Sequence, residues 1–481
     1  MLHRLPSPFV IFSTTIALLF GILTTVRGLV DSDYYWHIVA GRLIATTGSV
    51  PQTDPFSFTW GGQPWTMHEW LGELLMYWLV SAAGTGVATF VFGVIGIAGP
   101  LIVAWALLRV GVPMRGLVLP TALVAYIFTS YATIRPQAIS WLFLGILLAT
   151  LITLRPEHRW RPWMLVPLFV LWANVHGLYV IGLGVLGLYV GFTLAGRTPM
   201  APRRLELLVV LGAAFLGSML TPAGPVGLLY PLRYIEGGDW GLQHISEWQS
   251  PNFHDATQLG LLVLIVATLL NAMRATPGWL AAGATAGIAG ALLATRNAPL
   301  AAMLALPTVA VGVADRWPAK VRTRPMSENV QLVRRVMELG VAVVIVAAAV
   351  IILPWLLPGD RVAHSFPVRA VDALEQAAPD ANVLAEYGWG GYVINRLYDA
   401  GGRVFVDGRN DMYSEVILND YSTIRSAGDG WSDLADRYGV EAILLPTDAP
   451  VITEAPGSSD WCEAYRDDVA VLLLRSCPGQ S

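Results

Sequence analysis

The chain is short of charge and almost free of lysine. Only 13% of its 481 residues are charged, about half of the roughly 25% that soluble chains carry. Lys320 is the single lysine among 30 basic residues. These absences exclude an ordinary soluble chain, a basic tail and a nucleic-acid-binding patch. With 55% hydrophobic residues and a mean hydropathy of +0.56, most of the chain has to be interpreted with lipid as its solvent.

The sequence also lacks two common motifs and contains few cysteines. No H-E-x-x-H zinc motif occurs, and "GWGGY" lacks the G-x-G-x-x-G spacing and acidic ribose ligand of a dinucleotide site. Cys462 and Cys477 are the only cysteines. An oxidising compartment would allow a disulfide between them. That pairing is left open, because a two-residue turn at Asp467 and Asp468 would pair Cys462 with residue 473.

Apolar runs of bilayer-spanning length recur along the chain. The first follows a basic start and meets Asp31 rather than a small-residue cleavage site, which predicts an uncleaved first helix. Length and hydropathy predict about eleven transmembrane helices. They fall near 8–30, 85–108, 116–133, 137–154, 162–175, 178–195, 205–221, 257–273, 277–295, 298–314 and 336–357.

Arginine is distributed unevenly between the loops. One alternating set of loops holds most arginines, whereas the other holds only Arg42, Arg135, Arg233 and Arg296, with Arg27 near the end of the first span. The positive-inside rule makes the arginine-rich set cytoplasmic. We therefore predict a multi-pass protein of the cytoplasmic (inner) membrane, with a cytoplasmic N-terminus and an extracytoplasmic C-terminal segment.

The unusual polar residues fall on the outer side of this topology. Ionisable groups near a membrane are costly and commonly functional, so their common side predicts a shared cavity. Simpler interpretations remain for single residues: lipid-headgroup snorkelling for an arginine, a helix N-cap for Asp31 and a satisfied core histidine for His176. The set comprises Asp31, Asp33, His37, His68, Glu69, Arg135, Gln137, Asn174, His176, His244, Glu247, Arg296 and Asn297.

The stretch after Leu29 is too aromatic for an ordinary solvated loop. Apolar residues in its first half keep a loose helical period, which puts Asp33 and His37 four residues apart on one helix face. A second amphipathic piece with an aromatic stripe starts near Thr66. Such helices lie in the membrane interface. The loop 31–84 is therefore predicted to form two interfacial helices that hold its carboxylates over a cavity mouth.

The loop sequence also carries a family resemblance. "DSDYYWHIVAGRLIATTGSVPQTDPFSF…PWTMHEWLGELLMYW" resembles the first extracytoplasmic loop of the GT-C glycosyltransferase superfamily, within which it is most similar to bacterial protein-mannosyltransferase and lipopolysaccharide-core sugar transferases. Those polytopic enzymes use polyprenyl-phosphate sugars as donors, and an acidic residue or pair after the first span is their catalytic signature. The resemblance implies a GT-C-like domain over residues 1–357 and a catalytic Asp33, with Asp31 as the other candidate.

The residues suit that chemistry. Inverting sugar transfer needs a carboxylate to deprotonate the acceptor hydroxyl, a role predicted for Asp33 with Asp31 or Glu69 assisting. It also needs cations on the leaving phosphate, and arginine forks match phosphate oxygens. Arg135 and Arg296, both at outer ends of spans, are therefore predicted to bind the donor phosphate.

The remaining candidates are assigned to substrate contact or to a metal. The outer loop 222–258 is long enough for a lid, in which Trp240, His244 and Glu247 would contact a sugar or the acceptor; a packed connector is the alternative. A divalent metal is left open, because histidines and carboxylates of the first loop are suitable ligands. No cofactor is firmly predicted. The other predicted cavity residues are His37, His68, His176 and Asn297.

Composition changes after residue 357. The segment 358–481 is polar, and its alternating strand-like and helix-like patterns predict an extracytoplasmic α/β domain with a mainly parallel sheet. "YRDDVAVLLLR" is typical of a terminal hairpin. "YGWGGYVINRL" and "VFVDGRNDMY" resemble the soluble tail of many bacterial GT-C-like proteins. Asp407, Arg409 and Asp411 are interpreted as a structural ion-pair cluster or as a polar-ligand site.

Together these patterns predict an α-helical polytopic membrane protein with a C-terminal soluble α/β domain. We expect a glycosyltransferase that moves a sugar from a polyprenyl-phosphate donor to a glycan, lipid or protein acceptor. Its expected partners are membrane lipids and that donor, without nucleic acid. The alternative is a non-catalytic GT-C-like protein that binds lipid-linked glycans or serves as an assembly subunit. The sequence does not name the sugar, the acceptor, the prenyl length or an oligomeric state.

Overall fold

A computed structural model describes residues 8–230, 239–272, 276–316, 362–457 and 460–475, with the isolated residues 336, 340 and 344. The chain divides into two compact units. The helical unit comprises Met1–Arg27, Leu79–Pro231 and Ile245–Gly359. The mixed unit comprises Gly28–Trp78, Leu232–His244 and Asp360–Ser481.

Helices account for most of the described chain, because long apolar runs favour the one conformation that satisfies its own backbone. In chain order they are α1 Pro8–Arg27, α2 Asp33–Thr47, α3 Trp70–Ala83, α4 Thr85–Arg109, α5 Met114–Thr129, α6 Gln137–Thr153, α7 Leu165–Val175, α8 Tyr179–Leu194, α9 Arg204–Gly217, α10 Pro225–Leu229, α11 Asp239–His244, α12 Leu259–Ala272, α13 Gly278–Leu293, α14 Ala298–Arg316, α15 Val368–Ala377, α16 Gly390–Leu397, α17 Glu415–Arg425, α18 Trp431–Tyr438 and α19 Pro450–Glu454.

Ten of the eleven predicted spans coincide with helices or with a helix and its flanking turn. The eleventh, 336–357, lies largely outside the described residues. Within the described chain, Pro8–Arg27, Thr85–Arg109 and Thr295–Arg316 are long and apolar enough to cross a membrane, whereas the other apolar helices are shorter. The helical membrane architecture is therefore confirmed, and the number of spans stays a prediction.

The helical unit packs through small residues, as helices in lipid commonly do. Gly99 of α4 faces α6 so closely that a Cβ there would collide with the carbonyl of Trp141. A Cβ on Gly116 of α5 would lie 2.9 Å from the carbonyl oxygen of Ala310 in α14. These contacts make α4 and α14 central, and nearly every residue from 298 to 310 is buried.

The mixed unit contains a five-stranded sheet in the order β2-β1-β3-β5-β4. β1 is parallel to β2 and β3, whereas β5 is antiparallel to β3 and β4. The prediction of a mainly parallel sheet is thus only half right, because the terminal hairpin contributes as many antiparallel pairings as the crossovers contribute parallel ones. The strands are β1 Asn382–Ala385, β2 Arg403–Val404, β3 Ala442–Pro446, β4 Cys462–Arg466 and β5 Ala470–Leu474.

The predicted terminal hairpin is present, with a longer turn. Asp467 accepts hydrogen bonds from the backbone N–H groups of Val469 and Ala470 through one carboxylate oxygen, so the turn takes in residue 469. The longer turn and a β-bulge between Glu463 and Tyr465 together pair Cys462 with Leu474 rather than with residue 473. Cys477 lies outside the described residues, and the disulfide stays a prediction.

Residues of the first loop extend the C-terminal sheet. Ser57 bridges Val404 in parallel, and the backbone N–H of Val404 donates to the carbonyl of Phe56 at 3.2 Å. Phe56 and Phe405 are fully buried. Residues 28–78 and 360–481 consequently belong to one unit, whereas the sequence had grouped the loop 31–84 with the transmembrane segment. The predicted domain boundary after residue 357 remains a prediction.

Candidate functional site

The two carboxylates at the start of α2 have different surroundings. Asp31 is buried, and its Oδ1 accepts the backbone N–H of Asp33 at 3.0 Å. Ser32 occupies the N-cap position without a side-chain cap bond. Asp31 therefore satisfies a donor of the first helical turn, as the capping interpretation predicts. Asp33 is the first helical residue and is only partly buried, and the hydroxyl of Ser32 lies 3.4 Å from its Oδ1.

Two C-terminal glycines lie against this helix start. A Cβ on Gly408 would collide with Oδ1 of Asp33, and a Cβ on Gly391 would collide with the carbonyl oxygen of Ser32. Neither glycine has a positive φ. Glycine is therefore favoured at these positions by its missing side chain rather than by its backbone freedom. The motifs "GWGGY" and "DGR" thus help to position Asp33, a link that the sequence analysis did not make.

A second cluster joins α2 to α3. His37 Nδ1 lies 3.1 Å from Oε1 of Glu73, and His37 Nε2 lies 3.6 Å from Oε2 of Glu69. A Cβ on Gly41 would collide with the carbonyl of Glu73, so glycine one turn after His37 permits this close approach. Suitable ligand atoms of the three side chains lie within 4.8 Å of one another. The structure thus brings the predicted residues His37 and Glu69 together.

Glu73 is the functional candidate that sequence reasoning missed. It is a single carboxylate in the apolar helix α3 and is 1% exposed. Burial and the charge of Glu69 raise its pKa well above the usual value, although Arg409 opposes this. Its spacing of four residues from Glu69 on a helix was the available signal.

His68 lies beside the same cluster. Its Nε2 is 3.4 Å from Oε1 of Glu69, the oxygen that does not face His37. Burial disfavours the charged imidazole, but Glu69 and Asp411 raise the pKa of His68 above its usual value. Burial raises the pKa of Asp411, with His68 opposing the shift. Asp411 is therefore linked electrostatically to the His37 cluster rather than to Arg409.

Arg409 is the centre of a buried ion network. Its Nη1 donates to Asp54 at 2.6 Å, and its Nη2 donates to Asp407 at 2.6 Å. The guanidinium also stacks near Phe56 and Trp65, at 4.9 and 4.7 Å from the ring centroids. Burial disfavours the charge, yet Asp407 and Asp54 raise the pKa of Arg409 well above its ordinary value. Because Asp407 and Arg409 bond to each other and Arg409 also bonds to Asp54, the interpretation of Asp407 and Arg409 as a structural ion-pair cluster is favoured.

The helical unit contains the other predicted pair of cations. Arg135 Nη1 lies 3.5 Å from Oε1 of Glu247, and the guanidinium of Arg296 lies 4.9 Å from the ring centroid of Trp248. Burial alone would raise the pKa of Glu247, but Arg135 and then Arg296 hold it below the usual value. Thr295 donates to the carbonyl of Glu247 at 3.1 Å. Arg135 thus pairs directly with this carboxylate, and the charge of Arg296 also stabilises its ionised form.

Four predicted cavity residues have local partners instead. Trp240 is 4% exposed and donates its indole N–H to Ser422 at 2.7 Å, so this ring packs on α17 rather than facing a sugar. His244 stacks on Trp240 with centroids 4.6 Å apart. His176 accepts the backbone N–H of Leu178 at 3.1 Å.

Asn297 donates to the carbonyl of Gly290 at 3.0 Å and so fixes the turn before α14. These contacts fit the connector and core interpretations of such residues. The prediction that all outer-side residues share one cavity stays a prediction.

Two solved proteins are similar to this chain in structure. The Archaeoglobus fulgidus oligosaccharyltransferase in its apo form matches with a TM-score of 0.58 and 12% identity, over 90% of this chain and 69% of that one. ArnT from Cupriavidus metallidurans bound to undecaprenyl phosphate matches with a TM-score of 0.55 and 14% identity, over 97% of both chains. Its apo state gives 0.54 and 15%, also over 97% of both.

No protein-family model matches the sequence, and a search of curated proteins finds no match. Identities of 12–15% show the fold alone. The resemblance in the first loop predicted that fold, and the structural matches confirm it. The chain has the fold of the GT-C membrane glycosyltransferases.

Proposed function

We propose that this protein is a glycosyltransferase that moves a sugar from a polyprenyl-phosphate donor to an acceptor at the outer face of the cytoplasmic membrane. The observation that carries the proposal is the ion pair of Arg135 with Glu247, whose pKa Arg296 also lowers through its charge. A positively charged site that already attracts an anion suits a phosphate. The undecaprenyl phosphate bound to the similar ArnT structure supports the choice of a polyprenyl donor.

The proposed reaction depends on the negative charge of Asp33 and on the positive charges of Arg135 and Arg296. The carboxylate of Asp33 takes the proton of the acceptor hydroxyl, and the oxygen attacks the anomeric carbon of the sugar. The bond from that carbon to the phosphate oxygen breaks, and the electron pair leaves with the polyprenyl phosphate. Arg135 and Arg296 stabilise the charge that develops on this leaving group. A single displacement of this kind inverts the anomeric centre.

Glu247 has a defined part in this scheme. Without donor, its carboxylate compensates the two arginines, whose burial without an anion would be costly. A lipid phosphate offers more acceptor oxygens to the same guanidinium groups than the carboxylate does. Donor binding is therefore an exchange of anions at one pair of cations.

Loss of either arginine is expected to weaken donor binding about tenfold or more, because hydrogen bonds to charged groups contribute about 1.5–3 kcal/mol. Arg135→Ala, Arg296→Ala and Arg296→Lys would be compared for undecaprenyl-phosphate affinity in detergent. Lysine keeps the charge but loses the fork, so Arg296→Lys should lie between wild type and alanine. Arg109→Ala, at the last residue of α4 beside Trp105, is the control. Wild-type affinity in both alanine variants would contradict phosphate binding and favour contact of these arginines with lipid headgroups.

Gly408→Ala tests the positioning of Asp33. The new methyl group would occupy the space of Oδ1 of Asp33, and a displacement of about 1 Å at a reacting group can cost about 10²-fold in rate. Transfer should slow by that order while donor affinity is retained. Gly388→Ala in the neighbouring motif is the matched control, because a Cβ there meets nothing within 4 Å. Equal turnover in the two variants would remove the positioning role.

A further inference from the structure

The crossing of α2 and α3 brings three metal-binding side chains together. His37 lies in the second turn of α2, Glu69 immediately precedes α3, and Glu73 follows one turn later within it. One ligand atom from each lies within 4.8 Å of the others. Gly41 permits this approach, because any side chain there would collide with the backbone of Glu73. The close packing of the two helices at Gly41 therefore brings these three groups together.

One carboxylate oxygen of this cluster, on Glu73, is buried without a hydrogen bond in the described part of the chain. Glu73 is 1% exposed, and its Oε2 has no hydrogen-bond partner among the described residues. Burying such an oxygen unsatisfied costs free energy. The nearby carboxylate of Glu69 adds repulsion, which Arg409 only partly offsets. A bound cation would satisfy the buried oxygen and separate the two like charges.

We propose that His37, Glu69 and Glu73 bind one divalent transition-metal ion. One imidazole nitrogen and two carboxylate oxygens are ligands typical of Zn²⁺ and Mn²⁺, whereas Mg²⁺ and Ca²⁺ prefer oxygen alone. Three protein ligands leave at least one coordination position open. The ion would tie α2, whose first residue is Asp33, to α3. This inference does not rest on the transferase reaction, because metal binding is measured without it.

Neighbouring residues would support such a site. His68 contacts Oε1 of Glu69 at 3.4 Å, while Oε2 of the same carboxylate faces His37. Outer contacts of this kind orient a metal ligand and tune its affinity. The competing arrangement is a shared proton, in which a neutral Glu73 donates its hydrogen to His37. The two arrangements differ in whether a metal ion is present in the purified protein.

The experiment is a metal titration of the full-length protein in detergent, with any affinity tag removed and the protein first treated with EDTA. Zn²⁺, Mn²⁺ and Mg²⁺ would be titrated separately by calorimetry, and bound metal would be measured after dialysis. We expect one equivalent of Zn²⁺ or Mn²⁺ per chain and much weaker Mg²⁺ binding. Glu73→Gln and His37→Gln should each weaken binding by more than about 100-fold, since loss of even an outer-shell partner costs about 10–100-fold.

Two controls separate this site from general binding. Glu463→Gln changes an exposed carboxylate that pairs with Arg466, and His364→Gln changes an exposed histidine; both should bind metal as wild type does. Absence of stoichiometric metal in the wild-type protein would overturn the proposal in favour of the shared proton. Undiminished binding in folded Glu73→Gln and His37→Gln would also overturn it. Co²⁺ absorption of the wild type serves where a variant does not fold: a ligand-field band that EDTA abolishes supports the site, and no band contradicts it.

Discussion

Asp33→Asn is expected to fold, to bind the polyprenyl-phosphate donor and to lose about 10²–10⁴-fold in transfer rate, the usual cost of removing a general base. Asparagine keeps the shape of the side chain and its hydrogen-bonding carbonyl but cannot take the acceptor proton. The measurement is single-turnover transfer from a labelled donor, with donor affinity determined on the same preparation. A fall in rate without a fall in affinity assigns Asp33 to the chemical step.

Asp31→Asn is the comparison that makes this result informative. Asp31 accepts the backbone N–H of Asp33, and Asn and Asp are about equal in such a position. Its variant should therefore keep most of the activity. Wild-type transfer by both variants would mean that neither carboxylate is the base. Absence of transfer in the wild-type protein, by contrast, would favour the non-catalytic lipid-linked-glycan binder.

Arg409→Met is expected to cause the largest loss of stability, roughly 3–5 kcal/mol in the mixed unit, because it leaves the buried carboxylates of Asp54 and Asp407 without their cation. Hydrogen exchange followed by mass spectrometry measures this locally. The informative amides are those of Phe58 and Val404, which join the first loop to the sheet. Unchanged protection in a folded Arg409→Met variant would contradict the argument.

Two further variants identify the cause of that loss. Arg396→Met removes ion pairs to Asp372 and Glu375 that are partly solvent-exposed, and exposed pairs contribute at most about 1 kcal/mol. Combining Arg409→Met with Asp54→Asn should recover part of the lost protection, since one of the stranded charges is gone. No recovery would indicate that ring packing around Arg409, rather than charge, carries the effect.

Acid should weaken the same contact. Burial favours a higher pKa for Asp54, but Arg409 and the hydrogen bond from Ser57 hold it below the usual value of 3.8. A lowered folded-state pKa contributes stability above pH 3.8, and this contribution is lost as pH falls through the folded-state pKa. Protection at Phe58 and Val404 should therefore fall at low pH in the wild type, and less steeply in Asp54→Asn.

The sequence was most informative where structure depends on local patterns. Apolar runs determine helices through neighbouring residues alone, so ten predicted spans agree with observed helices. The alternation after residue 380 likewise predicted three strands and the terminal hairpin. It did not predict that the hairpin joins the sheet through the antiparallel pairing of β5 with β3, because strand order depends on which edges the hairpin can reach rather than on the composition of any strand.

Contacts between distant segments could not be obtained in this way. Arg409 and Asp54 are 355 residues apart, and neither residue's neighbours indicate the other. For Trp240 the sequence left open contact with a sugar or the acceptor and a packed connector, and the bond to Ser422 fits the connector. Glu73 was overlooked because its helix is apolar on both sides. Only the crossing at Gly41 shows that this carboxylate lies opposite His37.

The bridge between Ser57 and Val404 has a consequence for biosynthesis. At about 5–20 residues per second, the ribosome needs roughly 20–70 s to make the 355 residues that separate Asp54 from Arg409. During that interval the residues around Asp33 lack the strand edge and the glycines that later lie against them. A chain that stops before residue 404 would therefore carry its helices and its predicted base without the partner that aligns it. The contacts that join the first loop to the sheet can thus form only after residues 404–409 have been synthesised.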